Sequence, residues 1–101
     1  MLSVNISAVS LNTTPLDFLG NTNLIIEALK SDEVLSADMV LFPELCISGY
    51  GCEDAFYKES VWQRSWASLT KILPFSKNKT VIVGLPIFHG SSLYNCSAVI
   101  S

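Results

Sequence analysis

Two short, almost wholly apolar runs constrain this chain most: Met39-Val40-Leu41-Phe42 and Thr80-Val81-Ile82-Val83-Gly84-Leu85. Each is closed by a proline, Pro43 and Pro86. Runs this short and this apolar read as strands buried on both faces. The segments between them follow a helical period instead. From about Asp17 to Leu35, the side chains Leu19, Ile25, Ile26 and Leu29 share one broad face, although Gly20 weakens the start of that helix. From about Ala55 to Leu73, Trp62, Trp66, Leu69 and Leu73 form a single stripe that Pro74 ends. Val4 to Leu11 reads as a first strand, broken by Thr13-Thr14-Pro15. Ser76-Lys77-Asn78-Lys79 is a polar connection, Gly90-Ser91-Ser92 a turn, and Leu93 to Ile100 a fourth strand.

The element order is therefore β-α-β-α-β-β, an α/β arrangement. Strands separated by helices predict parallel pairing through right-handed crossovers. The last two strands are close enough in sequence to pair as an antiparallel hairpin.

At 101 residues the chain allows one small domain at most. It is half hydrophobic, with mean hydropathy +0.43 and 15% charged residues, which is too apolar for disorder. It is also unusually apolar for a free-standing domain of its size, because small domains keep much of their surface in water. Together with the apolar end Val99-Ile100-Ser101, this predicts a portion of a larger domain. A net charge of −3 and only 6 Lys and Arg, scattered along the chain, exclude a nucleic-acid surface. The N-terminus lacks a secretory signal, no run approaches a membrane span, and three cysteines cannot all pair with one another. Free thiols in a cytoplasmic protein are the expectation. The Cys46 and Cys52 spacing does not fit a zinc site, and His89 is the single histidine, so no metal site is expected.

Chemistry is expected at the segment Leu41-Phe42-Pro43-Glu44-Leu45-Cys46-Ile47-Ser48-Gly49-Tyr50-Gly51-Cys52-Glu53-Asp54. Ligands of α/β sheets bind at the carboxyl ends of strands. Glu44 stands at such an end, and Gly49 and Gly51 permit the sharp turns of a loop folded over a site. The alternative for Glu44 is an ordinary loop carboxylate or helix cap.

With this loop in view, the chain resembles the N-terminal part of the nitrilase superfamily of carbon–nitrogen hydrolases. The features fall in the family's order: Gly20-Asn21, Ala37-Asp38, Phe42-Pro43-Glu44-Leu45 followed by Ser48-Gly49-Tyr50, then Val83-Gly84-Leu85-Pro86, and last Tyr94-Asn95-Cys96-Ser97-Ala98. The continuation Tyr50-Gly51-Cys52-Glu53-Asp54 narrows the resemblance to the glutaminase domains of glutamine-dependent NAD+ synthetases. The resemblance implies a four-layer α-β-β-α sandwich, present here only in part, and a Glu-Lys-Cys catalytic set. It further implies hydrolysis of glutamine to glutamate and ammonia. The ammonia would pass to a separate synthetase domain of the same chain that uses ATP and Mg2+, and the whole would be a homo-oligomer.

On that resemblance Glu44 is the general base that helps deprotonate a cysteine nucleophile, since the thiolate is the attacking form. Tyr50 would lie near the mouth of the amide pocket and bind substrate, or else pack the loop against the body. The nucleophile and the lysine are expected beyond Ser101, so residues 1–101 alone are expected to be inactive. Cys46 is expected to be a small buried hydrophobe, Cys52 a loop packing residue and Cys96 part of the sheet. Two alternatives are a free-standing nitrilase-type amidase or carbamoylase, and a non-catalytic interaction module with an open sheet edge.

Overall fold

The computed structural model describes residues 3–101. Four strands form one mixed sheet: β1 (Ile6–Ala8), β2 (Met39–Leu41), β3 (Thr80–His89) and β4 (Ser92–Ile100), adjacent in chain order. β1 and β2 pair in parallel with Ile6 opposite Met39, and β2 and β3 in parallel with Met39 opposite Thr80. β3 and β4 form an antiparallel hairpin running from Val81 opposite Ile100 to His89 opposite Ser92. The parallel pairs and the hairpin are as the sequence predicts. The first strand is shorter than expected, although the Val9 amide still reaches the Leu41 carbonyl at 2.9 Å. Pro86 does not end β3. It sits opposite Asn95, beyond the end of β2, where its missing N–H leaves no parallel neighbour unsatisfied.

The expected first helix is two. α1 (Phe18–Lys30) ends where Ser31 turns extended at ψ 149°, and the short α2 (Asp32–Leu35) follows. The Ser31 hydroxyl donates to the Ala28 carbonyl at 2.7 Å, satisfying one acceptor at that helix end. The buried face of α1 is Phe18, Asn21, Thr22, Ile25 and Leu29, while Leu19 points outward. The Asp17 side chain accepts from the Gly20 amide at 3.0 Å, so the glycine that weakens the helix in propensity belongs to its N-terminal cap.

α3 (Glu59–Ile72) is shorter than expected, because residues Glu53–Tyr57 form a 3₁₀ turn. Its buried face is Val61, Ser65, Ser68, Leu69 and Ile72, out of phase with the tryptophan stripe. Trp66 and Leu73 are exposed, and Trp62 packs at the rim, stacked on Phe88 with ring centroids 4.1 Å apart. Its indole N–H donates to the Phe56 carbonyl at 2.6 Å. The Ser65 hydroxyl donates back to the Val61 carbonyl at 2.7 Å, which removes its polarity from the core. The small serines let α3 lie close to its neighbours, and the Arg64 guanidinium covers the Phe18 ring of α1 at 4.6 Å.

Both long helices pack on the same sheet face. Val40, Val81, Val83 and Leu85 point into that core and are fully buried, with Ala98 and Ile100 of β4 beside them. The opposite face is open: Leu41, Ile82 and Val99 form a row across three strands, with Leu41 and Val99 exposed. The expectation of strands buried on both faces therefore holds for one face only, because the helices among the described residues pack on one side. Among the described residues no helix is long and apolar enough to cross a membrane.

Candidate functional site

Glu44 lies three residues beyond the end of β2, in a loop pinned at several points. The Phe42 amide donates to the Ile82 carbonyl at 2.9 Å and the Ile47 amide to the Gly84 carbonyl at 3.2 Å, so the loop keeps running alongside β3. A side chain at Gly84 would place its Cβ 3.0 Å from the Glu44 carbonyl carbon and 3.1 Å from the Pro43 oxygen. The loop thus rests directly on the β3 backbone, an approach that only a glycine permits. Leu45 adopts the left-handed conformation at φ 50° while buried. That conformation costs a branched residue about 1–2 kcal/mol, offset here by burial of its side chain.

The far half of the loop is held from α1. The buried Asn21 amide donates to the Ile47 carbonyl at 3.2 Å and to the Thr14 carbonyl at 2.9 Å, while its oxygen accepts from the Thr14 amide at 2.9 Å. The Leu16 amide donates to the Ser48 carbonyl at 2.7 Å. Gly49, at φ 86°, is seated so closely on Thr14 and Pro15 that a Cβ would lie 2.7 Å from the Pro15 Cα. Backbone is thereby fixed on both sides of Glu44, while its carboxylate stays exposed.

Among the described residues the hydrogen-bonding partner of that carboxylate is the side-chain amide of Asn95, which donates from Nδ2 to Glu44 Oε1. Asn95 comes from β4 and also lines a cleft of about 200 Å³ with Leu45, Phe56, Pro86, Leu93 and Tyr94. Glu44 is not itself part of that lining, but its chain neighbour Leu45 and its partner Asn95 are, and a carboxylate beside an apolar cleft is suited to moving protons to and from a group held there. Tyr50 is not part of that lining and is 67% exposed on the loop surface.

Cys46 and Cys52 are buried free thiols and Cys96 is half-buried. Burial pushes the Cys46 thiol up to about 11, against a smaller lowering by backbone hydrogen bonding at Gly84 and at Cys46 itself. A thiol so far from ionisation is a poor nucleophile. Cys52 Sγ lies 3.3 Å from the carbonyl oxygens of Ser48 and Gly49 and packs the loop. His89 is exposed at the end of β3. Among the described residues no group of three His, Cys, Asp or Glu stands close enough to hold a metal ion.

The contributions of Gly84, Asn21, Phe56 and Asn95 are not visible as site features in the sequence. The two-residue turn at Gly90-Ser91 sets the hairpin register and puts residue 95 opposite Pro86, but that register alone does not mark Asn95 as a partner of Glu44.

Residues 5–101 match the carbon-nitrogen hydrolase family, and the chain belongs to it. Its relatives include the glutamine-dependent NAD(+) synthetases of Dictyostelium discoideum, 37% identical over 99% of this chain, and of Saccharomyces cerevisiae, 33% identical over 92%. The human glutamine-dependent NAD(+) synthetase is 32% identical over 95% of the chain. The chain spans 13–14% of the length of these relatives. The crystal structure of a glutamine-dependent NAD(+) synthetase from Cytophaga hutchinsonii superposes with TM-score 0.90 and 31% identity, over 96% of this chain and 17% of that one. An amidase from Nesterenkonia sp. superposes with TM-score 0.76 at 19% identity, over 95% of this chain and 37% of that one, a likeness of fold. The glutamine-dependent NAD+ synthetase from Acinetobacter baumannii, solved in complex with ADP, superposes with TM-score 0.80 at 23% identity, over 96% of this chain and 18% of that one.

Proposed function

We propose that residues 1–101 form the N-terminal portion of the glutaminase domain of a glutamine-dependent NAD+ synthetase, with Glu44 as general base. The observation that carries this reading is the placement of Glu44: fixed backbone, exposed carboxylate, apolar cleft beside it. Relatives named as NAD+ synthetases at 32–37% identity support the choice of branch. The nucleophilic cysteine and the lysine of the set come from beyond residue 101.

Glu44 accepts the proton of the cysteine thiol, and the thiolate attacks the amide carbon of glutamine. The carbon–nitrogen bond breaks, the proton passes from Glu44 to the leaving nitrogen, and ammonia departs, leaving a thioester. Glu44 then takes a proton from water, whose oxygen attacks the thioester. Glutamate is released and the thiol recovers its proton. Tyr50 binds substrate at the pocket mouth once the rest of the domain is in place. The ammonia passes to a synthetase domain that uses ATP and Mg2+; the ADP complex of the Acinetobacter protein supports the nucleotide. The protein is a cytoplasmic homo-oligomer.

The test uses the full-length protein. Glu44→Gln should lose glutamine-dependent NAD+ synthesis by about 100-fold or more, the usual contribution of a general base, and keep synthesis driven by added ammonia. Loss of both activities would remove Glu44 from the chemistry. A wild-type protein that releases ammonia from glutamine but makes no NAD+ from added ammonia would instead be a stand-alone amidase.

A further inference from the structure

We infer that Asn95 is a positioning residue for Glu44, and that it sets which carboxylate oxygen faces the reacting groups. The inference rests on the proposed role of Glu44 and adds a residue to it. Backbone contacts fix where the Glu44 Cα lies, but they do not fix its side chain. A glutamate has three side-chain torsions, and an exposed one samples many rotamers. Glu44 is exposed, whereas Leu45, Cys46, Ile47 and Ser48 after it are buried. Packing alone therefore leaves the carboxylate free to swing.

The Asn95 amide supplies the missing constraint. Nδ2 donates to Oε1, which leaves Oε2 free to exchange protons. The chemistry of the pair fixes the amide's orientation: an ionised carboxylate only accepts, so the NH2 and not the oxygen of Asn95 must face it. The donor is itself held on a regular strand, in register opposite Pro86 and between Tyr94 opposite Ile87 and Cys96 opposite Leu85. Asn95 and Leu45 both line the cleft, so the donor that restrains the carboxylate and the residue that follows Glu44 belong to the wall of the space a substrate would enter. Two rigid elements thus meet at one hydrogen bond: the loop seated on Gly84 delivers the base, and the hairpin delivers the donor that aims it.

The experiment uses the full-length protein and three variants: Asn95→Leu, Asn95→Asp and Asn95→Gln. Misplacing a catalytic group by about 1 Å costs about 100-fold, so Asn95→Leu should lower glutamine-dependent kcat by about 10- to 100-fold. The KM for glutamine should stay near its wild-type value, and the rate with added ammonia should not change. Asn95→Asp keeps the shape but presents a second acceptor, and should fall at least as far as Asn95→Leu. Asn95→Gln keeps the donor and should recover part of the lost kcat. Wild-type kcat in Asn95→Leu or Asn95→Asp would overturn the inference, as would a loss seen mainly in KM, which is the mark of a deformed pocket. Glu44→Gln measured alongside separates the two proposals. If it abolishes glutamine use while Asn95→Leu does nothing, the base stands and the positioning role falls. If it retains glutamine use, both fall together.

Discussion

Leu85 and Leu41 carry the same side chain on neighbouring strands, yet one is 1% exposed and the other 43%. The difference is which face of the sheet they occupy. Leu85 points with Val40, Val81 and Val83 into the layer covered by α1 and α3. Leu41 stands in a row with Ile82 and Val99 on the side that no helix among the described residues covers. A continuous apolar run encodes two covered faces, and these strands find cover on one. In the four-layer arrangement that the family resemblance implies, a second sheet packs on that open side. The two faces therefore separate the apolar side chains that hold this chain together from those that address other parts of a larger body.

The sharpest way to break that comparison is to truncate both leucines and follow urea denaturation. In residues 1–101 alone, Leu85→Ala should cost about 3 kcal/mol, in the range for a fully buried leucine, and Leu41→Ala less than about 1 kcal/mol. Equal losses would mean that the open face is buried in solution, by self-association or otherwise. A second probe acts where the Glu44 loop touches β3. Gly84→Ala should destabilise by about 2 kcal/mol through overpacking, because the neighbour that must yield is backbone. The same variant should lower glutamine-dependent activity in the full-length protein, since it lifts the segment that carries Glu44. The smallest effect concerns Cys46 on the covered side. Between pH 9 and 11 the unfolded chain releases the Cys46 proton, which the folded chain retains to about 11. The unfolded state then binds fewer protons, so stability falls across that window, by roughly 2 kcal/mol at most. In Cys46→Ala the decline should be shallower, and an unchanged decline would show that the buried thiol is not its source.

Much of the architecture is legible in the sequence because strand-length apolar runs and helical spacing are local signals. Met39-Val40-Leu41-Phe42, Thr80 to Leu85 and the Gly90 turn suffice for the parallel pairs and the hairpin. The phase of α3 is not legible, for a physical reason. Hydropathy puts Trp62 and Trp66 inward and Ser65 and Ser68 outward, whereas close helix packing favours small residues, and a serine bonded to its own backbone loses its preference for water. The split at Ser31 is hidden for a similar reason, since a single extended residue leaves the apolar pattern on both sides unbroken. At the site, Glu44 is legible from its place after a strand. Asn95 is not, because its meaning depends on a partner 51 residues away in the chain, brought near by the hairpin register.

The seat at Gly84 also makes a statement about descent. A backbone-to-backbone contact cannot be relaxed by choosing a different rotamer, so position 84 and the length of the 43–45 segment are bound to change together. In a collection of related chains, any member with a side chain at this position should also show an insertion or a retreat in the loop that bears the glutamate. Members that keep the loop unaltered should keep the glycine, including copies whose glutamate has been lost. That pattern can be read by counting sequences.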